Sequence, residues 1–310
     1  MSYEEIVRCL QYNEKESNLF MPNEIFEDLK LHVRNTPHIA FAYSYCYLAT
    51  WLYRYVKHSS VTEILDNKKL KELLGYNPKT QTLDYLIKKS GLLDEIEYLE
   101  STRDFPLTWS LTGEEKDLDF FMLSDLDIGV AKEKFPNIPK RFFLKKPLKG
   151  FSRIKLNEDG QEYESLGTFY DIANTHNVPF EGFLYCMSNR DIGCTGFYLY
   201  SYLKHKNDLF ENGYDVSLAN LSLDTGIKES TLDKYIGLLK GYRMVDFRHN
   251  QEFFAIGMRA EDRKANTYFI NEHDSFSNEL ETFQKIKIVK KKVEKRIEFD
   301  VNQLPFWDKF

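Results

Sequence analysis

One pattern, present twice, constrains this chain more than any other feature. Residues 67–96 read NKKLKELLGYNPKTQTLDYLIKKSGLLDEI, and residues 217–247 read SLANLSLDTGIKESTLDKYIGLLKGYRMVDF. Each copy has a short apolar helix, a tight turn at a glycine, a second amphipathic helix, and an apolar segment able to open a strand. That order describes a helix-turn-helix followed by a β wing. At 310 residues the chain is long enough for two domains. The expected fold is therefore α+β, mainly α, with two winged-helix domains in tandem. The expected division is an N-terminal domain over 1–128, a basic linker over 129–164, a C-terminal domain over 165–275, and a basic, aromatic tail over 276–310.

The flanking segments fill out this scheme. A helix is expected over Glu24–Val33 with Asn23 as its cap, and Pro37 as a break after it. IAFAYSYCYLATWLYRYV, from Ile39 to Val56, is apolar on nearly every side and reads as a core helix. TGFYLYSYLKHK, Thr195–Lys206, is its counterpart. In the first copy the second helix is expected from Lys79 to Ser90, with Leu83, Leu86 and Ile87 inward. A strand over Leu92–Tyr98 then returns over Phe105–Leu111, with Ser101–Asp104 as the wing tip. In the second copy Leu232, Tyr235, Ile236 and Leu239 face inward on a helix from Glu229 to Tyr242. Met244–Arg248 and Phe253–Met258 form the hairpin, Thr267–Ile270 adds a strand, and Thr168–Asn177 is helical. The run KIKIVKKKVEKR at 285–296 suits a solvated basic segment or an edge strand.

A helix that reads DNA needs an apolar stripe to anchor it and a polar N-terminal half to face the major groove. Lys228, Ser230, Thr231 and Lys234 meet that need in the second copy, with Arg248 and Asn250 at the wing. Glu229 and Asp233 oppose phosphate. Lys79, Thr80, Gln81 and Thr82 are the first copy's equivalents, with Lys88 and Lys89 further along and Arg103 on the wing. Gln81 has the amide geometry that pairs with adenine. From Lys132 to Lys155 the bases far outnumber the single acid Glu133. Lys145, Lys146 and Lys149 are the phosphate-tracking candidates there. Polar helical hairpins also serve as plain solvated surfaces and as protein-binding modules, so an adaptor stands beside the DNA reading.

Composition excludes other classes. Hydrophobic residues are 42% and charged residues 29%, and no run of 18 apolar residues occurs. The polar, acidic start MSYEEIVRCLQYNEKESN has no basic-then-apolar leader, so a cytoplasmic protein without membrane association is expected. The net charge of −6 argues against a non-specific nucleic-acid coat, although a specific reader concentrates its positive charge locally. The four cysteines form no C-x-x-C, and no metal or cofactor is expected. No phosphate loop, dinucleotide fingerprint, nucleophile elbow or H-x-H pair is present, so no catalytic residue is nominated.

The second copy resembles the helix-turn-helix of Gram-positive phage and plasmid replication proteins, in which the turn precedes a Ser-Thr pair, here Ser230-Thr231. Two apolar residues open the strand there, here Met244-Val245. The chain departs at Arg243, where that pattern often has glycine. The two-module layout resembles theta-type plasmid replication initiators. That resemblance implies repeated or palindromic origin sites on double-stranded DNA, a homodimer in exchange with monomer, and recruitment of host replication proteins. Regulation of transcription on a mobile element is the alternative. At the C-terminus Gln303, Leu304, Phe306 and Trp307 resemble the peptide that bacterial replication proteins insert into the sliding clamp.

Overall fold

In a computed structural model the chain is described over residues 1–59, 65–112, 117–135, 142–149, 153–165, 172–255, 258–259 and 262–289. In chain order, α1 (Tyr3–Leu10), β1 (Phe20–Pro22), α2 (Ile25–His32) and α3 (Thr36–Arg54) lead to α4 (Asn67–Leu73). Two single-turn helices, α5 (Asp84–Ile87) and α6 (Leu92–Glu95), precede β2 (Leu99–Thr102). A hairpin of β3 (Pro106–Thr112) and β4 (Asp117–Met122) is followed by α7 (Ile128–Lys134) and β5 (Leu144–Pro147). β6 (Arg153–Leu156) and β7 (Glu162–Ser165) pair with each other. Then come β8 (Thr175–Asn177), α8 (Phe180–Ser188), α9 (Gly193–Leu209), β9 (Tyr214–Val216), α10 (Leu218–Thr225) and α11 (Glu229–Gly241). Finally β10 (Val245–Arg248), β11 (Phe253–Ala255), β12 (Asn266–Ile270) and β13 (Lys287–Val289) complete an α+β fold of small sheets.

The order of elements and the pairing of strands recur along the chain. β1, α2, α3, α4, α5–α6, β2 and β5 make one unit, and β8, α8, α9, α10, α11, β10 and β12 make the other. The match extends to register. Glu97 and Arg243 both adopt the left-handed region, at φ 60° and 56°. Each ends a helix and turns the chain into a strand. Leu99 then pairs with Pro147 and Ser101 with Lys145, as Val245 pairs with Ile270 and Phe247 with Tyr268. In the second unit β9 adds to the free side of β12, giving a three-stranded sheet of order β10-β12-β9.

The two units share one core. β1 pairs antiparallel with β8, with Met21 opposite His176 at the centre, as in a two-fold dimer. α3 packs on α9. Every residue of α3 from Ile39 to Tyr53 is buried, as an all-apolar helix requires. Trp51 stacks on Phe180 at 4.0 Å, and Tyr47 stacks on Phe183 at 5.3 Å. The buried phenols find acceptors, across the seam for Tyr47 and within the second unit for Tyr200. Tyr47 donates to the Val178 carbonyl at 2.6 Å, and Tyr200 donates to that of Asn271 at 2.9 Å. The expected division between 128 and 165 therefore does not coincide with a gap in the core. Leu144–Pro147, inside the expected linker, is a strand of the first unit.

Several local expectations are corrected. Pro37 sits in the first turn of α3, where a missing N–H costs nothing, and so starts the helix instead of breaking the chain. Asn23 does not cap α2. Its side chain is bonded to Asn174 and His176. The expected helix Lys79–Ser90 survives only as α5, and Leu92–Glu95 is helical where a strand was expected. β2 pairs with β5 and β3 with β4, so Ser101–Asp104 is not a hairpin tip. β10 pairs with β12, while β11 pairs in parallel with β13. Thr175–Asn177 is a strand instead of a helix, and residues 166–171 lie outside the described ones.

His176 is the polar centre of the seam. Its Nδ1–H donates to Asn23 Oδ1 at 3.0 Å, and its Nε2 accepts from the Tyr43 hydroxyl at 2.8 Å. Burial holds its pKa well below the ordinary histidine value, with help from His205. Burial also lowers His205, to about 4. The unfolded imidazoles protonate first, near pH 6.5, so stability is complete above that pH and falls as pH drops below it. The loss is expected to approach about 1.4 kcal/mol per histidine per pH unit. Melting temperature followed by circular dichroism from pH 7 to 5 measures it. His176→Gln, which keeps an amide donor and acceptor, should flatten that slope.

Candidate nucleic-acid interface

α10 and α11 form the better-built of the two helical pairs. Ser217 caps α10, its hydroxyl accepting from the Asn220 N–H at 3.1 Å. Gly226 ends it at φ 71°, a conformation that favours glycine. A Cβ there would also lie 2.9 Å from Ile39 of the first unit. Ser222 donates to the Ile227 carbonyl at 2.6 Å and Tyr198 to that of Thr225 at 3.0 Å, which fixes the turn. Leu232, Ile236 and Leu239 anchor α11 in the core. Tyr235, expected inward with them, is half-buried.

The opposite face of α11 is polar. Lys228, Ser230 and Lys234 are exposed and Thr231 is half-buried, with Glu229 and Asp233 exposed among them. Lys234 Nζ lies 5.3 Å from the Tyr235 ring centroid. Arg248 and Asn250 lie at the root of the segment, holding β11, that joins β10 to β12. The Arg248 guanidinium is 3.2 Å from Asn250 Oδ1 and 3.3 Å from Thr267 Oγ1, and it lies over Phe269. Asn250 Nδ2 donates to the Ala265 carbonyl and to Thr267 Oγ1, both at 2.9 Å. Asn250 therefore closes the loop, and Arg248 remains exposed beside it.

In the first unit the corresponding segment is broken. Lys79, Gln81 and Thr82 are exposed and Thr80 half-buried, but all four lie in turns instead of on a helix. Buried Lys71 ties this turn down by an ion pair with Asp84 and a hydrogen bond to the Thr80 carbonyl. It takes the role that Ser222 plays in the second unit. Ser90 is left-handed at φ 54°, and a Cβ on Gly91 would lie 2.8 Å from the Leu86 carbonyl. The chain folds tightly back there, which ends α5 after one turn. Lys88, Lys89 and Arg103 are exposed. Lys89 and Arg103 both lie over the Phe143 ring, at 5.5 and 5.0 Å.

The three linker lysines divide. Lys146 is half-exposed opposite Glu100. Lys149 pairs with Asp28 at 2.8 Å and lies 4.3 Å over Tyr98. Burial opposes the Asp28 charge, but hydrogen bonds from Lys149 and Tyr98 hold its carboxyl below the usual range. Lys145 is corrected outright. Its side chain is 2% exposed, ion-paired with Asp94, and donates to Ser101 Oγ at 2.9 Å and the Lys88 carbonyl at 3.1 Å. Burial pushes its ammonium pKa down and Asp94 opposes that shift. It is a structural cation and does not face phosphate.

Comparison with protein families, curated proteins and solved structures returns no match. No helix among the described residues is long and apolar enough to cross a membrane. No cluster of potential metal ligands occurs among them. Gln303, Leu304, Phe306 and Trp307 lie outside the described residues. Sequence reasoning passed over Arg34, His38 and Tyr85, which line a cleft beside Lys88. Their signal was the cluster HVRNTPH at 32–38, hidden by reading Pro37 as a break.

Removing one partner of a buried ion pair leaves the other charge uncompensated, at about 3–5 kcal/mol. Lys145→Met should therefore destabilise the chain by about 3 kcal/mol or more in urea denaturation. Lys146→Met should stay within about 0.5 kcal/mol of wild type.

Proposed function

We propose that this chain binds double-stranded DNA sequence-specifically, with α11 as the reading helix and its most suitable role in plasmid or phage replication initiation. The observation that carries this reading is the second unit's topology. The chain order α9, β9, α10, α11, β10, β11, β12, with β12 between β10 and β9 and β11 set aside against β13, supports reading this unit as a winged helix. It leaves the N-terminal half of α11 exposed while three apolar residues hold the helix rigid. Lys228 and Lys234 supply phosphate or guanine contacts, and Ser230 and Thr231 supply hydroxyls. Arg248 stands where a wing meets the backbone. We assign the first unit a second, degenerate winged helix whose wing carries the β3–β4 insertion. Lys88, Lys89 and Arg103 are its available cations. Homodimerisation, host replication proteins and clamp binding through residues 303–307 belong to the same proposal and follow from the resemblance alone.

Fluorescence anisotropy of the full chain on fragments of its own locus tests the reading. Tight binding should be confined to fragments bearing repeated or palindromic sequence and should weaken steeply with salt. Lys234→Ala with Thr231→Ala should raise Kd by about tenfold or more, as loss of base and phosphate contacts predicts, with an unchanged melting temperature. Binding that ignores salt and sequence, or an unaffected double variant, would remove α11 from the interface.

A further inference from the structure

Beside Lys88, a cleft of about 620 Å³ opens between the α2–α3 elbow and the broken α5–α6 segment. It brings Arg34 and Lys88 to one space with His38, Tyr85 and Leu92. Both cations are exposed and form no ion pair among the described residues. Glu95 is the one acid in the lining.

A hydrogen-bond relay orients the phenol. Asn35 Nδ2 lies 3.1 Å from His38 Nε2, and His38 Nδ1 lies 3.1 Å from Tyr85 Oη. An amide N–H donates, so Nε2 is the acceptor and the ring proton sits on Nδ1. Nδ1–H then donates to Tyr85 Oη, which leaves the phenol proton free to donate to a ligand. Burial lowers the His38 pKa, favouring the neutral ring this relay needs. Burial raises that of Tyr85, which keeps its proton.

The second unit provides an internal comparison. Its α8–α9 elbow also flanks a cleft, of about 600 Å³, lined by Met187, Ile192, Gly193 and Cys194. Arg190 is the sole cationic side chain in that lining. That lining has tyrosines, Tyr76 and Tyr235, but no histidine or lysine, so the paired cations of the first cleft are not a requirement of the fold.

We propose that the first cleft binds a phosphate ester of mononucleotide size, with Arg34 and Lys88 on the phosphate and Tyr85 donating to it. Leu92 supplies an apolar wall, and the volume is that of a small-ligand pocket. Glu95 suits the donors of a sugar or base and disfavours a second anionic group. The same chemistry comes from a free nucleotide or from a phosphate along a nucleic-acid strand.

Isothermal titration of the full chain with adenosine and guanosine monophosphates, adenosine, inorganic phosphate and an own-locus duplex separates these sources. For a free nucleotide, at least one monophosphate binds with Kd below roughly 1 mM while adenosine does not. Arg34→Ala and Lys88→Ala then each weaken it about tenfold, as loss of a charge-assisted contact implies, and Tyr85→Phe weakens it severalfold. Arg190→Ala has no effect, and melting temperatures stay constant. If the monophosphates fail but Arg34→Ala and Tyr85→Phe weaken duplex binding, the phosphate belongs to a strand. The proposal falls if no probe responds to these variants, or if binding and melting temperature fall together. The nucleotide arm does not involve α11, so its failure and that of DNA reading are distinct.

Discussion

Everything in this fold depends on the packing of α3 against α9. α3 from Ile39 to Tyr53 and α9 from Gly196 to Leu203 are buried on every side, so neither stretch is stable facing water, and each supplies the surface the other needs. Tyrosine is the residue that makes this work. Its ring fills the seam while its hydroxyl satisfies a carbonyl that burial would otherwise leave unpaired, as Tyr47 does for Val178 and Tyr198 for Thr225. The pairing of β1 with β8 closes the seam at one end and sets His176 in its middle.

The units diverge where helix meets sheet. Three residues before the left-handed turn stands Asp94 in the first unit and Lys240 in the second. Asp94 meets Lys145, giving a buried ion pair braced by Ser101. Lys240 meets rings instead, lying 3.9 Å over Phe247 and 5.2 Å over Tyr268, and burial pushes its pKa to about 8. The same backbone thus joins helix to sheet by two chemistries. The ionic version fixes α6 and the Lys88 carbonyl to β5, which stabilises the broken path of α5–α6.

What the sequence made legible was local. Ser217 and Gly226 bracket α10, and the spacing of Leu232, Ile236 and Leu239 fixed the buried face of α11. The β pairing was illegible because the partners are distant. β2 finds β5 across an insertion holding another hairpin, so the nearest apolar run, β3, was the natural but wrong choice. Without that strand, Lys145 and Lys146 were indistinguishable in a basic run. With it, the alternation of a strand sends one inward and one outward. The break at Ser90-Gly91 looks in sequence like an ordinary helix end, and only the second copy shows that a longer helix belongs there. Of the candidate site, α11 was legible and the elbow cluster around Arg34 was not, since its residues meet Tyr85 and Lys88 only through tertiary packing.

A shared core also limits how the units can act. Two modules on a flexible linker sample many separations, whereas units joined through α3 and α9 present their outer faces at one fixed spacing. Any partner engaging both must match that spacing, so selectivity arises from the scaffold before any side chain is read. The asymmetry of the outer faces then carries a consequence. α11 keeps a continuous helix, from which exposed polar side chains project at helical spacing. The first unit has given up that continuity, and what it gains at the break is a concave cationic cleft in place of a convex rod. A duplicated fold whose copies serve one purpose keeps both surfaces alike. Here the helix–helix seam is built alike from both sides while the outward surfaces differ, as expected when packing fixes the seam and leaves the outer faces free to vary.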